Sequence, residues 1–137
     1  MFEYAWSEET LSWIIAPPGG MVSPDALKYS ELYFVWGYLM DPRFIEKLLD
    51  HTIPFAPAVI QGYRREAFVR DGKSGFKLIP SKKDLVMGVV LIAPGKEDIL
   101  RLDRFEQVPD VMVKRRIEVM IGDLRREANI YMAVGTN

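Results

Sequence analysis

The chain has 137 residues, the size of one ordinary domain, and 49% of them are apolar, which is enough to fill one hydrophobic core. Its 18 basic and 19 acidic residues nearly balance, so the overall charge gives no reason to expect nucleic acid or an anionic membrane as a partner. The absence of cysteine and the presence of a single histidine exclude disulfides, thiolate zinc sites, cysteine nucleophiles and multi-histidine metal centres.

The sequence also lacks the signals of a membrane or secreted protein. No segment reaches the roughly 18 to 20 continuous apolar residues of a membrane-spanning helix. The first residues, MFEYAWSEETLSW, carry acids where a signal peptide carries basic residues. We therefore expect a cytoplasmic protein whose partners include neither a membrane nor a nucleic acid. Any acid–base chemistry must come from carboxylates, tyrosines, lysines or His51.

Residues 1–30 are predicted to form an N-terminal arm. Ser7 has the residue type of a helix N-cap and is followed by glutamates, which favours a short helix after it. The stretch APPGGMVSPD then predicts turns. The aromatic residues of the arm either pack on the domain or cover a pocket or a partner subunit, so a homodimer is one possible assembly.

A single domain is predicted over residues 31–137. It begins with an apolar strand at 32–37, which is typical of the middle of a sheet. Asp41 and Pro42 have the residue types of a helix N-cap and first helical position, and apolar residues recur at helical spacing up to Leu49. Later patterns predict strands at 58–70 with a bulge at Gly62, at 76–81 and at 84–93, a helix at 96–107, and two strands at 111–121 and 124–134 joined by a Gly122-Asp123 turn.

This order of elements predicts an α+β fold. Most of the strands are joined by short turns, so the sheet is expected to be largely antiparallel. Six strands and two helices suggest a small mixed barrel, closed or half-closed, with the two helices flanking it.

The stretch YFVWGYLMDP places Gly37 between a buried strand and a helix. The N-terminus of a helix exposes backbone N–H groups and the positive end of its dipole. Glycine has no Cβ, so its backbone can approach a ligand closely. The turn from Gly37 to Leu39 is therefore predicted to offer main-chain donors to a carboxylate or a polarised carbonyl. The alternative is a sharp turn without a role in binding.

The second helix places Ile99, Leu102 and Glu106 on one face, so Glu106 is predicted to point inward beside Phe105. A carboxylate on the apolar edge of a helix loses hydration, which raises its pKa and lets it carry protons near neutral pH. The alternative is a helix-end glutamate that turns to solvent. Asp103 can share this side of the helix, and we expect it to bond backbone groups near the helix end.

Three weaker signals remain. The pairs Arg64-Arg65 and Arg115-Arg116 are typical of solvated strand faces, although one of them could bind a substrate carboxylate. His51 follows the first helix, where its charge suits the negative end of the dipole. Tyr131, near the end of the last strand, either lines a pocket or packs in the core or an interface.

The stretches YFVWGYLMDP, PAVIQGYRREAF, VMGVVLIAP, ILRLDRFEQV and ANIYM occur in the order seen in the gamma-glutamyl cyclotransferase-like superfamily, which the chain resembles over residues 31–134. The resemblance implies a small mixed barrel and identifies Glu106 as the acid–base residue. It also implies that a turn binds the gamma-glutamyl group through its backbone, namely Trp36, Gly37, Tyr38 and Leu39. The implied reaction releases 5-oxoproline and an amine from a small gamma-glutamyl compound, with no metal or cofactor.

Three departures from the family pattern lie within the two motifs, and a fourth is the absence of the aromatic residue expected a few positions after the glutamate, where VPDVMVKRR stands. Trp36 replaces a tyrosine, Tyr38 replaces a serine or threonine, and Gln107 replaces the glycine after the glutamate. If Tyr38 points inward it narrows the pocket, whereas if it points outward the turn keeps its backbone function. These departures leave open an alternative function, a non-catalytic module that binds a metabolite or a peptide end in the same pocket.

Overall fold

The computed structural model describes residues 5–7, 12–15, 24–70 and 72–134. Two short strands, β1 (Ala5–Ser7) and β2 (Ser12–Ile15), pair antiparallel, with Trp6 opposite Trp13. The prediction of a helix capped by Ser7 is therefore wrong. Aromatic and β-branched residues in β2 fit a pleated strand better than a helix, and this preference outweighs the capping signal. The turns predicted at residues 16–23 lie outside the described residues.

A helix that the sequence did not predict, α1 (Pro24–Tyr29), ends the proposed arm. Ala26 and Leu27 pack against the barrel core. The guanidinium of Arg126 donates hydrogen bonds to the carbonyls of Leu27 and Ser30. This last part of the arm therefore packs on the domain, while the boundary at residue 30 stays a prediction.

Five further strands are β3 (Leu32–Val35), β4 (Phe55–Arg70), β5 (Lys73–Ile92), β6 (Met112–Ile121) and β7 (Leu124–Ala133). They form a closed barrel in the order β3, β5, β4, β6, β7. β3 pairs antiparallel with β5 and parallel with β7, and the second pairing closes the barrel. Two helices accompany it, α2 (Pro42–Leu49) and α3 (Lys96–Phe105), and a 3-10 helix at Gly37–Met40 precedes α2. The predicted α+β class and mixed barrel are confirmed.

The barrel has five strands instead of the predicted six because the strands expected at 76–81 and 84–93 are one continuous strand, β5. The polar residues between them stay within the strand, where the Ser81 hydroxyl donates to Asp84 over 2.5 Å. They lie opposite the predicted bulge at Gly62, where the β4–β5 register shifts and φ is +90°. Beyond it, residues 63–70 and 73–80 pair with each other, and we call this pair of segments the ribbon.

The short strand β3 is buried on both faces. Leu32 and Phe34 belong to the core inside the barrel, whereas Tyr33 and Val35 pack in a second core with residues of α2 and α3. Side chains alternate across a strand, so a strand covered on both sides must be apolar throughout. This explains the unbroken apolar run that precedes Trp36.

Both barrel-flanking helices begin with side-chain caps. The Asp41 carboxylate accepts the backbone N–H of Arg43 over 3.1 Å and Pro42 follows it, as predicted. In α3 the Asp98 carboxylate accepts the N–H of Gly95 over 2.9 Å. Asp98 also bonds Nε2 of His51 over 2.6 Å.

His51 thus joins the end of α2 to the start of α3. Its Nδ1 bonds the carbonyl of Thr52 over 2.7 Å, so acceptors face both ring nitrogens and favour the doubly protonated ring. The hydrogen bond to Asp98, followed by that to Thr52, raises the pKa of His51. A specific carboxylate partner therefore accompanies the helix-end position expected from the sequence. Among the described residues, no helix has the length and apolar character to cross a membrane.

Candidate active site

A cavity of about 170 Å³ lies where β3 leads into the 3-10 helix. Its walls are mainly apolar and aromatic, and Glu106 supplies the only carboxyl group among the lining residues. The structure brings together Glu106, the predicted turn from Trp36 to Leu39, and Tyr131. The lining residues are Phe34, Val35, Trp36, Gly37, Tyr38, Leu39, Phe76, Phe105, Glu106, Met112 and Tyr131.

The turn is a separate 3-10 helix, and this corrects the expectation that the N-terminus of α2 would supply the free donors. Pro42, the first residue of α2, has no N–H group. The N–H of the next residue, Arg43, is bonded to the Asp41 carboxylate. In the 3-10 helix the first N–H groups have no acceptor within the helix. Since Gly37, Tyr38 and Leu39 all line the cavity, these main-chain groups lie at its wall.

Gly37 is required by its backbone conformation. Its φ is +71°, in the left-handed region that residues with a Cβ rarely adopt. A Cβ at this position would meet no atom within 4 Å, so close packing does not explain the glycine. The left-handed conformation turns the chain from β3 into the 3-10 helix and presents its first N–H groups.

Tyr38 lies at the edge of the cavity. Its side chain is 44% exposed, and its ring centre is 5.8 Å from that of Phe44 on α2. Phe44 in turn packs edge-on against Phe105, with ring centres 5.3 Å apart. The Tyr38 ring therefore leans toward α2 and leaves the cavity open, as in the outward alternative considered for this departure.

Glu106 caps the C-terminus of α3. Its backbone N–H donates to the carbonyl of Leu102 over 2.9 Å, and its side chain enters the cavity. Burial raises the pKa of Glu106 to about 7. A carboxyl group with this pKa is present in both protonation states near neutral pH and can accept or donate a proton. The inward orientation and the raised pKa agree with the sequence prediction, while the catalytic role stays a prediction.

Asp103 organises the wall beside Glu106. Its carboxylate accepts the Tyr131 hydroxyl over 2.6 Å and the Lys114 ammonium over 3.2 Å. Lys114 also donates to the Tyr33 hydroxyl over 3.4 Å. The expectation that the Asp103 side chain would bond backbone groups is wrong. Its carboxylate instead accepts hydrogen bonds from Lys114 on β6 and Tyr131 on β7. Burial, together with the bond to Asp103, raises the pKa of Tyr131, so its phenol stays protonated.

The arrangement can therefore transfer a proton beside a group held by main-chain donors, in a mostly apolar cavity. In the described part of the chain, no group of three or more histidine, aspartate or glutamate side chains is placed to hold a metal ion.

Residues 33–136 match the sequence model of a family described as gamma-glutamyl cyclotransferase, AIG2-like. The chain belongs to this family.

A sequence relative agrees with this family, and solved structures share the fold of the chain. The AIG2-like protein A of Arabidopsis thaliana is 30% identical over 116 residues, which are 85% of this chain and 65% of that protein. A solution structure of an Arabidopsis thaliana protein has a TM-score of 0.64 at 24% identity, over 79% of this chain and 64% of that one. A solved gamma-glutamyl cyclotransferase has a TM-score of 0.66 at 20% identity, over 79% of this chain and 69% of that one. The chain thus spans under two thirds of each Arabidopsis protein.

One departure of this AIG2-like chain has a structural explanation. Gln107, which follows Glu106 in place of glycine, has a φ of +56°. Glycine is the residue that most easily ends a helix in this left-handed conformation. Gln107 therefore adopts a conformation that costs it about 1 kcal/mol more than it would cost glycine.

The sequence analysis did not single out Lys114, Tyr33 or Phe76, which lie at or beside the AIG2-like cavity, whereas Arg65 belongs to a pair that it considered for a substrate carboxylate. Lys114 could have been found, because the predicted turn at Gly122-Asp123 places it opposite Tyr131 in the β6–β7 register. Tyr33 gave no such signal. Phe76 and Arg65 come from the ribbon, and the Arg65 guanidinium lies over the rings of Phe76 and Trp36.

The remaining residues of the two basic pairs lie elsewhere. Arg64 is half-exposed and paired with Glu66, and Arg116 pairs with Glu31 and Glu127 on the surface. Arg115 is exposed.

Proposed function

We propose that the chain is a gamma-glutamyl cyclotransferase-type enzyme in which Glu106 is the acid–base residue. The observation that carries the proposal is a buried carboxyl group with a pKa of about 7 in a cavity that the Gly37–Met40 turn also lines. Family membership supports a small gamma-glutamyl compound as the ligand. Trp36, Tyr38, Leu39 and Tyr131 are proposed to contact it.

The proposed reaction is an intramolecular acyl transfer. Glu106 in its carboxylate form takes a proton from the α-ammonium group of the substrate. The neutral α-nitrogen then attacks the γ-carbonyl carbon, a C–N bond forms, and negative charge develops on the carbonyl oxygen. Main-chain N–H groups of the turn are positioned to stabilise that charge.

Collapse of the intermediate breaks the bond to the leaving nitrogen, which takes a proton from Glu106. Over the whole reaction the α-nitrogen loses two protons and the leaving nitrogen gains two, so 5-oxoproline and an ammonium product form without net proton exchange or water. A single carboxyl group that titrates near neutral pH is sufficient for these transfers. Since the phenol of Tyr131 is held by Asp103, it can fix one side of the ligand without taking part in proton transfer.

The test is 5-oxoproline release from a panel of gamma-glutamyl amino acids and gamma-glutamyl amines. Glu106→Gln is expected to lower kcat by roughly 100- to 10,000-fold, the usual contribution of a general acid–base residue. Glu97→Gln is the matched control, because Glu97 lies on the same helix with a side chain that is 74% exposed. A Glu106→Gln chain that releases 5-oxoproline at the parental rate contradicts the mechanism.

A chain that only binds would give a different result. Gamma-glutamyl compounds would raise its thermal unfolding temperature, because binding to the folded state stabilises it, and no member of the panel would release 5-oxoproline. This outcome would support the non-catalytic binding module.

A further inference from the structure

The ribbon brings a basic side chain against two aromatic residues that line the cavity. The guanidinium carbon of Arg65 lies 4.3 Å from the centre of the Phe76 ring and 5.7 Å from the centre of the Trp36 ring. Both rings line the cavity. Arg65 is therefore held where the ribbon meets the residue that precedes the Gly37–Met40 turn.

Strand geometry separates Arg65 from its neighbour in sequence. Side chains alternate across a strand, so Arg64 and Glu66 share one face of the ribbon, where they form an ion pair of 2.9 Å. Arg65 points to the other face, toward the two aromatic rings, and is half-buried there. The two arginines of the pair are thus chemically alike and differ in position relative to the cavity.

The cavity is small. Its volume of about 170 Å³ is well below the ~300 Å³ at which pockets for drug-sized ligands begin. The apolar walls and the carboxyl group of Glu106 suit one compact group, and we expect the remainder of a larger ligand to extend past the edge. Trp36 and Phe76 form part of that edge, with Arg65 over their rings.

Arg65 has the chemistry to hold an anion at this edge. A guanidinium group stays charged throughout the physiological pH range and presents planar donors that match a carboxylate. The aromatic rings restrict the plane of the group, which reduces the entropy lost when an anion binds. Burial lowers the pKa of Arg65 from its ordinary value.

We propose that Arg65 binds the carboxylate of the leaving amine, so that the chain prefers gamma-glutamyl amino acids to gamma-glutamyl alkylamines. This inference rests on the proposed function, because it takes the gamma-glutamyl group to occupy the cavity. The compact reacting group lies beside Glu106, and the variable part of the substrate crosses the edge to the ribbon.

The test measures binding by calorimetry in the Glu106→Gln chain, where turnover does not interfere. The two ligands are gamma-glutamylalanine and gamma-glutamylethylamide, which differ only in the carboxylate of the leaving group. Gamma-glutamylalanine is expected to bind on the order of 10- to 100-fold more tightly, the effect of one hydrogen-bonded charge pair. Adding Arg65→Gln should bring the ratio of the two Kd values close to unity, whereas adding Arg64→Gln should leave it unchanged.

Three results would overturn the inference. The first is a Kd ratio near unity while Arg65 is present, and the second is failure of both ligands to bind. The third is an Arg65→Gln variant that weakens both ligands equally, since Arg65 would then only support the rings of Phe76 and Trp36. A preserved Kd ratio in a chain that releases no 5-oxoproline would support the carboxylate subsite while refuting the proposed enzymatic function.

Discussion

Replacing Glu106 by glutamine is expected to stabilise the fold at and above neutral pH. In the folded chain, burial raises the pKa of this carboxyl group from 4.5 to about 7, whereas the unfolded chain keeps the ordinary value. Between these two values, the folded chain still binds a proton that the unfolded chain has lost. The free energy of unfolding therefore falls as the pH rises from 4.5 to about 7, and it remains at the lower value above that range.

The size of this effect follows from the two pKa values. Each tenfold change in proton affinity corresponds to about 1.4 kcal/mol, so raising the pKa from 4.5 to about 7 costs the ionised folded chain about 3 kcal/mol. Glutamine carries no titrating proton and escapes this cost. The stability advantage of Glu106→Gln over the parental chain should therefore grow by about 3 kcal/mol across this pH range. Every other titrating group is common to both chains and cancels in the comparison.

Urea unfolding of the parental chain and of Glu106→Gln, from about pH 4 to about pH 8, measures this difference directly. Glu97→Gln serves as the control for an exposed glutamate on the same helix, and its stability should follow the parental pH dependence. A difference between Glu106→Gln and the parental chain that stays constant with pH would refute the reasoning. It would mean that Glu106 titrates like an exposed carboxyl group.

Two further substitutions test the walls of the site. Gly37→Ala should lower the free energy of unfolding by about 1 to 2 kcal/mol, because φ is +71°, and should also reduce 5-oxoproline release. Gly122→Ala, at a hairpin turn with a φ of +61°, should cost similar stability and leave release intact, and equal losses of release in both variants would contradict the role of the turn. Tyr131→Phe should lower the free energy of unfolding by about 2 kcal/mol in urea unfolding, because Asp103 loses a donor. The loss should be smaller in a chain that already carries Asp103→Asn, and fully additive losses would show that this bond contributes nothing.

The parts of the fold that depend on neighbouring residues were predictable from the sequence. The cap formed by Asp41, the helical face that carries Glu106 and the Gly122-Asp123 turn each depend on a few adjacent residues. The strand count was wrong because Ser81 and Asp84 are polar and suggest a loop, although the segments on both sides of them pair with β4 and β5 continues through them. Pairing between distant segments decides that outcome, and a local pattern does not contain it.

In the candidate site, too, the features set by adjacent residues were predictable, and those set by packing between distant segments were not. The inward position of Glu106 comes from helix periodicity, and that of Gly37 from the break between strand and helix. Lys114 required one further step, the register of the β6–β7 hairpin. The sequence offered Arg64 and Arg65 equally for a substrate carboxylate and gave no signal for Phe76, because the contacts of Arg65 with Trp36 and Phe76 depend on how the ribbon packs after the register shift at Gly62.

The barrel is closed by a short seam. In the described part of the chain, β3 and β7 pair at two positions, Tyr33 with Asn129 and Phe34 with Ile130. The Gly37–Met40 turn continues from β3 and Tyr131 lies on β7, so two walls of the cavity meet across this seam. A ligand that contacts both walls acts as a cross-link between the first and last strands of the barrel. Binding in the cavity should therefore raise the free energy needed to open the seam. Slower amide exchange along β3 and β7 in the presence of ligand would report this increase.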